Sequence, residues 1–217
     1  MAISVIVPDM TMADLKQDCY RDDYDRKQKH SIPEAPSLIR ERFLLERTKE
    51  KVVLDIGASG PMHESIVRVS SKCYGIDRPS EMFKHDSSAQ DPKEFNVGVD
   101  LDEIHSTMPI FPGVEIIVCG EVIEHLSNPG YFLQRMLRAY PLVPVIITVP
   151  NAFADAGRGS LERGVENVNI DHVAWYSYTT LKTLVTRAGY RIKEHYWYKG
   201  RPVFSEGLIF VVQGTEG

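Results

Sequence analysis

The chain has 217 residues, of which 43% are hydrophobic and 25% charged, with a formal net charge of -5. That is ordinary globular usage, enough for one domain with a decorated end that buries roughly 70% of its unfolded surface. The acidic balance, with no run of Lys and Arg interleaved with aromatics, argues against a nucleic-acid partner, and no apolar run approaches the length of a membrane span.

Taken in order, Ile3 to Val7 alternates as a strand does and Pro8 ends the pattern. Met1 to Pro8 carries no basic leader and is too short for a secretory core. Cys19, Cys73 and Cys119 are odd in number and in no metal-ligand spacing, which suits a reducing compartment. A soluble, cytoplasmic protein is the expectation. From Thr11 to His30 charges of both signs crowd together, predicting a solvated helix or mobile arm, with a substrate lid as the sharper alternative. Residues 1–36 therefore read as an N-terminal helical extension and residues 37–217 as the main domain. Ser37 is placed to cap a helix running to about Lys49, with Leu38, Phe43, Leu44 and Leu45 as its apolar face.

Val52 to Ile56 is a short, β-branched apolar run that predicts a buried strand. Gly57 and Gly60 follow, letting the backbone turn sharply and leaving amides open to a ligand. Met62 to Val69 is a short helical pattern whose N-terminus points back at that turn, where its dipole and free amides favour an anionic group. A second strand, Cys73 to Ile76, ends in Asp77 about 20 residues after the first, where a nucleotide-binding α/β unit places the carboxylate for ribose hydroxyls. The ligand so implied is an adenosine derivative. A strand at Phe95 to Val99 runs into Asp100, Leu101 and Asp102. Val114 to Cys119 is a further buried strand leading to Gly120, Glu121, Glu124 and His125, the last three sharing one face if a helical turn starts near Glu121.

Asn128 and Pro129 open a helix over Tyr131 to Tyr140, and Val143 to Val149 is a fifth strand. Residues 152–169 form a long Gly-rich connection of the functional-loop type, followed by Asp171 and His172. Ser177 caps a helix from Tyr178 to Ala188, stopped by Gly189. Tyr190 to Tyr198 and Leu208 to Gln213 close the chain as a hairpin. Alternating strands and helices predict an α/β fold, a doubly wound, Rossmann-like, mostly parallel sheet.

In this order the segments LDIGASG, YGID, DLDEI, EVIEHLSNP, ITVPN and NIDHVAWYSYTTLKTLVTRAGY resemble the class I S-adenosylmethionine-dependent methyltransferases. The likeness spans roughly Arg40 to Gln213 and is closest to the branch of ubiquinone-type O-methyltransferases and those of surface-glycan and natural-product pathways. It implies a seven-stranded sheet whose last strand is inserted antiparallel. It also implies cofactor contacts from Asp55, Gly57, Ala58, Ser59, Gly60, Asp77, Arg78, Asp100, Leu101, Gly120 and Glu121. Ser59 and Pro61 stand where the family turn usually has glycine, adding side chains where the backbone nears the ligand.

Methyl transfer to a hydroxyl needs alignment and a proton acceptor, and His125 and His172 are the candidates because histidine titrates near neutrality. Three roles stay open for this group: tying the strand end to the next loop, acting as a general base, or holding a divalent metal such as magnesium. The metal set implied by resemblance to ubiquinone-type and small-RNA 2′-O-methyltransferases is Glu121, Glu124, His125 and His172. The acceptor expected is a small hydroxylated metabolite or a sugar, with Phe153, Trp175, Tyr176 and Tyr178 as pocket walls. A non-catalytic partner subunit, an RNA 2′-O-methyltransferase and a nicotinamide-dependent oxidoreductase are the competing readings.

Overall fold

The run Val52–Ile56 forms an interior strand of a mixed sheet, as expected of a strand that is apolar on both faces apart from Asp55. The structure is a computed structural model and describes residues 32–79, 93–103 and 107–215. The chain divides into two compact units, Met1–Pro33 and Glu34–Gly217. The strand expected at Ile3 to Val7 and the charged arm from Thr11 to His30 lie outside the described residues.

In the second unit the elements run β1 (Ser37–Leu38), α1 (Arg40–Thr48), β2 (Val52–Ile56), α2 (Gly60–Val69), β3 (Lys72–Asp77) and β4 (Glu94–Gly98). They continue with β5 (Ile116–Gly120), a 3-10 turn (Ile123–His125), α3 (Pro129–Ala139), β6 (Val145–Pro150) and α4 (Asp155–Leu161). The unit closes with α5 (Tyr178–Arg187), β7 (Tyr190–Tyr198) and β8 (Gly207–Gly214). Among the described residues the sheet has eight strands in the order β1-β7-β8-β6-β5-β2-β3-β4. Strands β4, β3, β2, β5 and β6 are parallel neighbours, and β8 lies antiparallel between β6 and β7. This is the doubly wound sheet with a terminal hairpin that the sequence predicts.

The eighth strand is the addition. Ser37 does not cap a helix: Ser37 and Leu38 pair in parallel with Trp197 and Tyr198, so their backbone groups serve the sheet edge. Helix α1 starts instead at Arg40, from Ile39, with no side-chain cap. The connection over 152–169 also differs from expectation, since Asp155–Leu161 is helical despite Gly157 and Gly159. Asp155 in its first turn and Arg158 in its last favour the helix dipole and offset part of the glycine cost.

Alternation along the strands sends Val53, Ile116, Val118, Ile146, Ile209 and Val211 to one face, where Phe43 and Leu44 of α1 and Ile66 and Val67 of α2 cover them. Leu54, Ile117, Ile147 and Phe210, all 0% exposed, point to the other face. Each such side chain stabilises the fold by roughly 1.5–3 kcal/mol through burial. From β2 the chain first winds outward through β3 and β4, then crosses back to β5 on the other side of β2. The carboxyl ends of β2 and β5 therefore diverge into a crevice, the usual seat of ligands in open α/β sheets. Among the described residues no helix is long and apolar enough to cross a membrane.

Candidate active site

A cavity of about 450 Å³ opens at that crevice. Of the residues read from the sequence as cofactor contacts, Asp55, Gly57, Ser59, Asp77, Arg78, Asp100, Leu101, Gly120 and Glu121 line it, as does His125. Ala58 and Gly60 belong to the same turn but do not line the cavity: Ala58 is 3% exposed, and Gly60 opens α2 with φ +73. Gly57, at φ +79, is required twice over, because a Cβ there would also stand 2.6 Å from Val122 Cγ2. The amides of Gly57 and Ala58 both donate to the Ile76 carbonyl, at 2.8 and 3.1 Å, which pins the turn to β3.

Asp77 ends β3 almost buried, with Oδ1 accepting the Arg78 amide at 2.7 Å. Across the cavity, the loop of Asp100 and Leu101 is held from below. Arg135 of α3 donates to the carbonyls of Leu101 at 2.5 Å and Glu103 at 2.8 Å, while Asp102 Oδ1 accepts the Ser127 amide at 2.8 Å.

The lining is unusually rich in paired charge. His63 of α2 is buried between two carboxylates, with Nδ1 2.8 Å from Asp55 Oδ2 and Nε2 3.0 Å from Glu94 Oε1, and Glu94 also accepts from the Asn96 side chain. Burial alone would lower the His63 pKa, but the two carboxylates outweigh it and hold it above its ordinary value. At the end of β5, Glu121 takes a left-handed backbone, φ +57. Its Oε1 accepts from Thr148 Oγ1 at 2.9 Å and the Tyr198 hydroxyl at 2.8 Å and lies 3.2 Å from Arg40 Nη1. His63 and Arg40 were missed in the sequence. The available signal for His63 was its place on the inward face of α2, three residues before Ile66.

The expected helical face of Glu121, Glu124 and His125 is not formed. The chain leaves Glu121 in its left-handed conformation and only then enters the 3-10 turn Ile123–His125, so Glu121 turns to Tyr198 and Arg40. Glu124 and His125 meet His172 instead, with one ligand-type atom from each residue within 4.8 Å of the others. Glu124 is 1% exposed, and among the described residues neither carboxylate oxygen has a hydrogen-bond partner. Burial, then the negative charge of Glu121, pushes its pKa up to about 8. His125 Nδ1 lies 3.2 Å from the Asp171 carbonyl. A carbonyl can only accept, so Nδ1 donates in this contact and the ring's other nitrogen, Nε2, is not used by it. The His172 ring stands edge-on to His125, centroids 4.6 Å apart, and burial followed by the His125 charge lowers its pKa.

Among the expected pocket walls, Tyr176 and Tyr178 are core residues. Tyr176 donates to the Ile123 carbonyl, and Tyr178, at the start of α5, packs on Phe210. Phe153 is half exposed, and Trp175 lines a second cavity.

Several solved structures share this fold. An S-adenosylmethionine-dependent methyltransferase from Aquifex aeolicus superposes with TM-score 0.58 at 18% identity, over 81% of this chain and 89% of that one. The N-methyltransferase NodS from Bradyrhizobium japonicum, in complex with S-adenosyl-L-homocysteine, gives 0.54 at 15% identity, over 82% and 86%. The small RNA methyltransferase HEN1 gives 0.61 at 17% identity over 87% of this chain, which spans 27% of that longer chain. No curated protein matches the sequence. The family described as Methyltransferase domain matches residues 25–195, including the opening turn, Asp77, the Glu124–His125 pair and His172. With the family match extending over most of the chain and every element of the crevice inside it, this chain belongs to the methyltransferase-domain family.

Proposed function

We propose that the chain is an S-adenosylmethionine-dependent O-methyltransferase acting on a small hydroxylated metabolite or a sugar, with residues 37–217 as its catalytic domain and residues 1–36 as an extension. The observation that carries the reading is the cavity at the switch point, which has both Asp77 and His125 in its lining. Its donor set fits the cofactor. Asp77 would accept from the ribose hydroxyls, Leu101 and Asp100 would meet the adenine edge with Arg78 beside it, and the turn at Asp55, Gly57 and Ser59 would face the methionine part. Gly120 and the Glu121 carboxylate would floor the sulfonium end, where negative charge stabilises a cation. S-adenosylmethionine, when bound, supplies a methyl group whose bond to sulfur breaks, with the electron pair going to sulfur, as the acceptor oxygen takes the carbon.

The residues of this chain then have to hold the acceptor in line and receive its proton. Orientation is worth about 7–11 kcal/mol and a positioned base roughly a hundred- to ten-thousand-fold. His125 Nε2 is the base in this reading, and His172, kept neutral by burial and by its neighbour, stands beside it. The formal net charge of -5 supports a small-molecule or glycan acceptor over RNA. Buried, unpaired Cys73 and Cys119 support a cytoplasmic setting.

Calorimetric titration with S-adenosylmethionine and S-adenosylhomocysteine tests this. Micromolar binding, weakened tenfold or more in Asp77→Ala, is the expected result. Binding of nicotinamide cofactors instead would overturn it, and cofactor binding with no turnover on any hydroxylated acceptor would favour a non-catalytic partner subunit.

A second reading has its own support: Glu124, His125 and His172 fit a divalent cation, and the oxygens of Glu124, which find no hydrogen-bond partner among the described residues, are what such a cation would satisfy. A bound divalent cation would supply Lewis acidity at the acceptor hydroxyl. Magnesium or manganese should then raise the unfolding temperature at pH 8, reversibly on chelation, and not in Glu124→Gln. Equal responses in both proteins would leave His125 as base alone.

A further inference from the structure

Beyond the cofactor crevice lies a second cavity of about 170 Å³, and His172 lines it just as His125 lines the first. The two rings stand edge to face with centroids 4.6 Å apart, so each cavity is bordered by one member of the same histidine pair. The amides of Val173 and Ala174 donate to the Glu124 carbonyl at 2.9 and 3.2 Å, fixing the chain after His172 to the 3-10 turn.

The second cavity has a distinct chemistry. Its volume of about 170 Å³ is the space of roughly six water molecules, enough for one ring and too small for a nucleotide. Small residues at 152, 154, 156 and 157 form part of its wall, and Trp175, 40% exposed, supplies a flat apolar surface. Asn151 is spent on the carbonyls of Val203 and Ser205, but the Asn167 side chain is engaged by no hydrogen bond among the described residues. Asn169 uses Oδ1 on the Asp171 amide and keeps its NH₂ group. Amides both donate and accept, as hydroxyl groups do. Among the described residues no lysine or arginine lines the cavity, and the charged group that does, Glu206, already faces Lys199 at 3.1 Å. A phosphate or carboxylate on the ligand would meet the Glu206 carboxylate in the lining and, among the described residues, no lysine or arginine of its own to pair with.

We propose that this cavity is the acceptor subsite and that it takes a single uncharged, polyhydroxylated ring of the pyranose type, its carbon face on Trp175 and its hydroxyls on Asn167 and Asn169. The inference rests on the methyltransferase reading and narrows its acceptor.

The chain has two tryptophans. Trp197 is 1% exposed, so emission changes on ligand addition report Trp175. Neutral methyl pyranosides, in a panel with sugar phosphates and simple phenols, are titrated into the full chain saturated with S-adenosylhomocysteine. Emission and saturation-transfer NMR are both read. The expected result is pyranoside binding, with the emission change abolished in Trp175→Phe and affinity reduced at least about threefold in Trp175→Ala and in Asn167→Ala. S-adenosylhomocysteine binding by the variants, measured in parallel, reports that they are folded. Preference for the phosphates or phenols overturns the proposal. So does silence from every pyranoside up to its solubility while S-adenosylhomocysteine still binds, an outcome that leaves the methyltransferase reading standing. Failure of S-adenosylhomocysteine to bind the wild type removes that reading and this inference with it.

Discussion

His63 stands between the buried carboxylate of Asp55 and the partly buried one of Glu94, and its loss would leave both without this partner. Breaking a buried ionic contact by removing one partner costs about 3–5 kcal/mol, so His63→Ala should lower the unfolding free energy by about that much in urea titrations. The same residue sets a pH dependence. Its pKa is raised in the fold above the ordinary 6.5, so the protonated ring binds the folded state more tightly than the unfolded one. That stabilisation is complete below pH 6.5 and is lost as the pH climbs through the raised value. Wild-type stability should therefore decline as the pH rises above 6.5, and the variant should show a flatter profile over the same window. A variant as stable as the wild type, or one with the same slope, would remove His63 from this role.

At the scale of elements, α3 does two jobs. Its apolar side packs Leu133 and Met136 into the core, and Arg135 reaches past them to the carbonyls of Leu101 and Glu103. The loop that would meet the adenine edge is thus tied to a helix as well as closed by its own contact, the Asp102 amide donating to Asp100 Oδ1 at 3.0 Å. Arg135→Leu should keep the helix buried but loosen that loop, weakening S-adenosylhomocysteine binding about tenfold, with a melting temperature change small by comparison with His63→Ala. Unchanged affinity in calorimetry would mean that the Asp102 contact with Ser127 suffices. The elements also explain what the sequence discloses. Strands β2, β3, β5 and β6 are short, mostly apolar runs, and the caps of α3 and α5 are local: Asn128 accepts from the Tyr131 amide, and Ser177 forms a capping box with Thr180. Such signals need no tertiary partner. Strand β1 was not readable because Ser37 and Leu38 become a strand only by pairing with Trp197 and Tyr198 at the far end of the chain. Helix α4 was hidden by its glycines, and the course of Glu121 by a left-handed residue that favours glycine but is not one. In the crevice, Asp77 and Gly120 could be located because each ends a strand, and Leu101 because it follows one within a few residues. His63 and Arg40 could not, because what they do depends on Glu94, Asp55 and Glu121 arriving from other strands.

For the molecule as a whole, the crevice exists only when the sheet is assembled. Its walls come from α1, from the ends of β2, β3 and β5, and from the loop after β4. No stretch of unfolded chain brings Asp77, Leu101 and Glu121 together, so S-adenosylhomocysteine should bind the folded state alone and stabilise it by the full linkage amount. At a free concentration a hundred times its dissociation constant that amount is about 2.7 kcal/mol. A domain of this size shifts its melting temperature by about 2–4 °C per kcal/mol, so the gain should be about 5–10 °C. Arg40 ties α1 through Glu121 and Tyr198 to β5 and the terminal hairpin, so the elements around the crevice should unfold together. Differential scanning calorimetry should therefore show the main transition moving as one peak. A ligand that binds in titration yet leaves part of that transition unmoved would show that the crevice melts independently of the sheet, and that the Arg40 and Glu121 tie does not hold its two sides together.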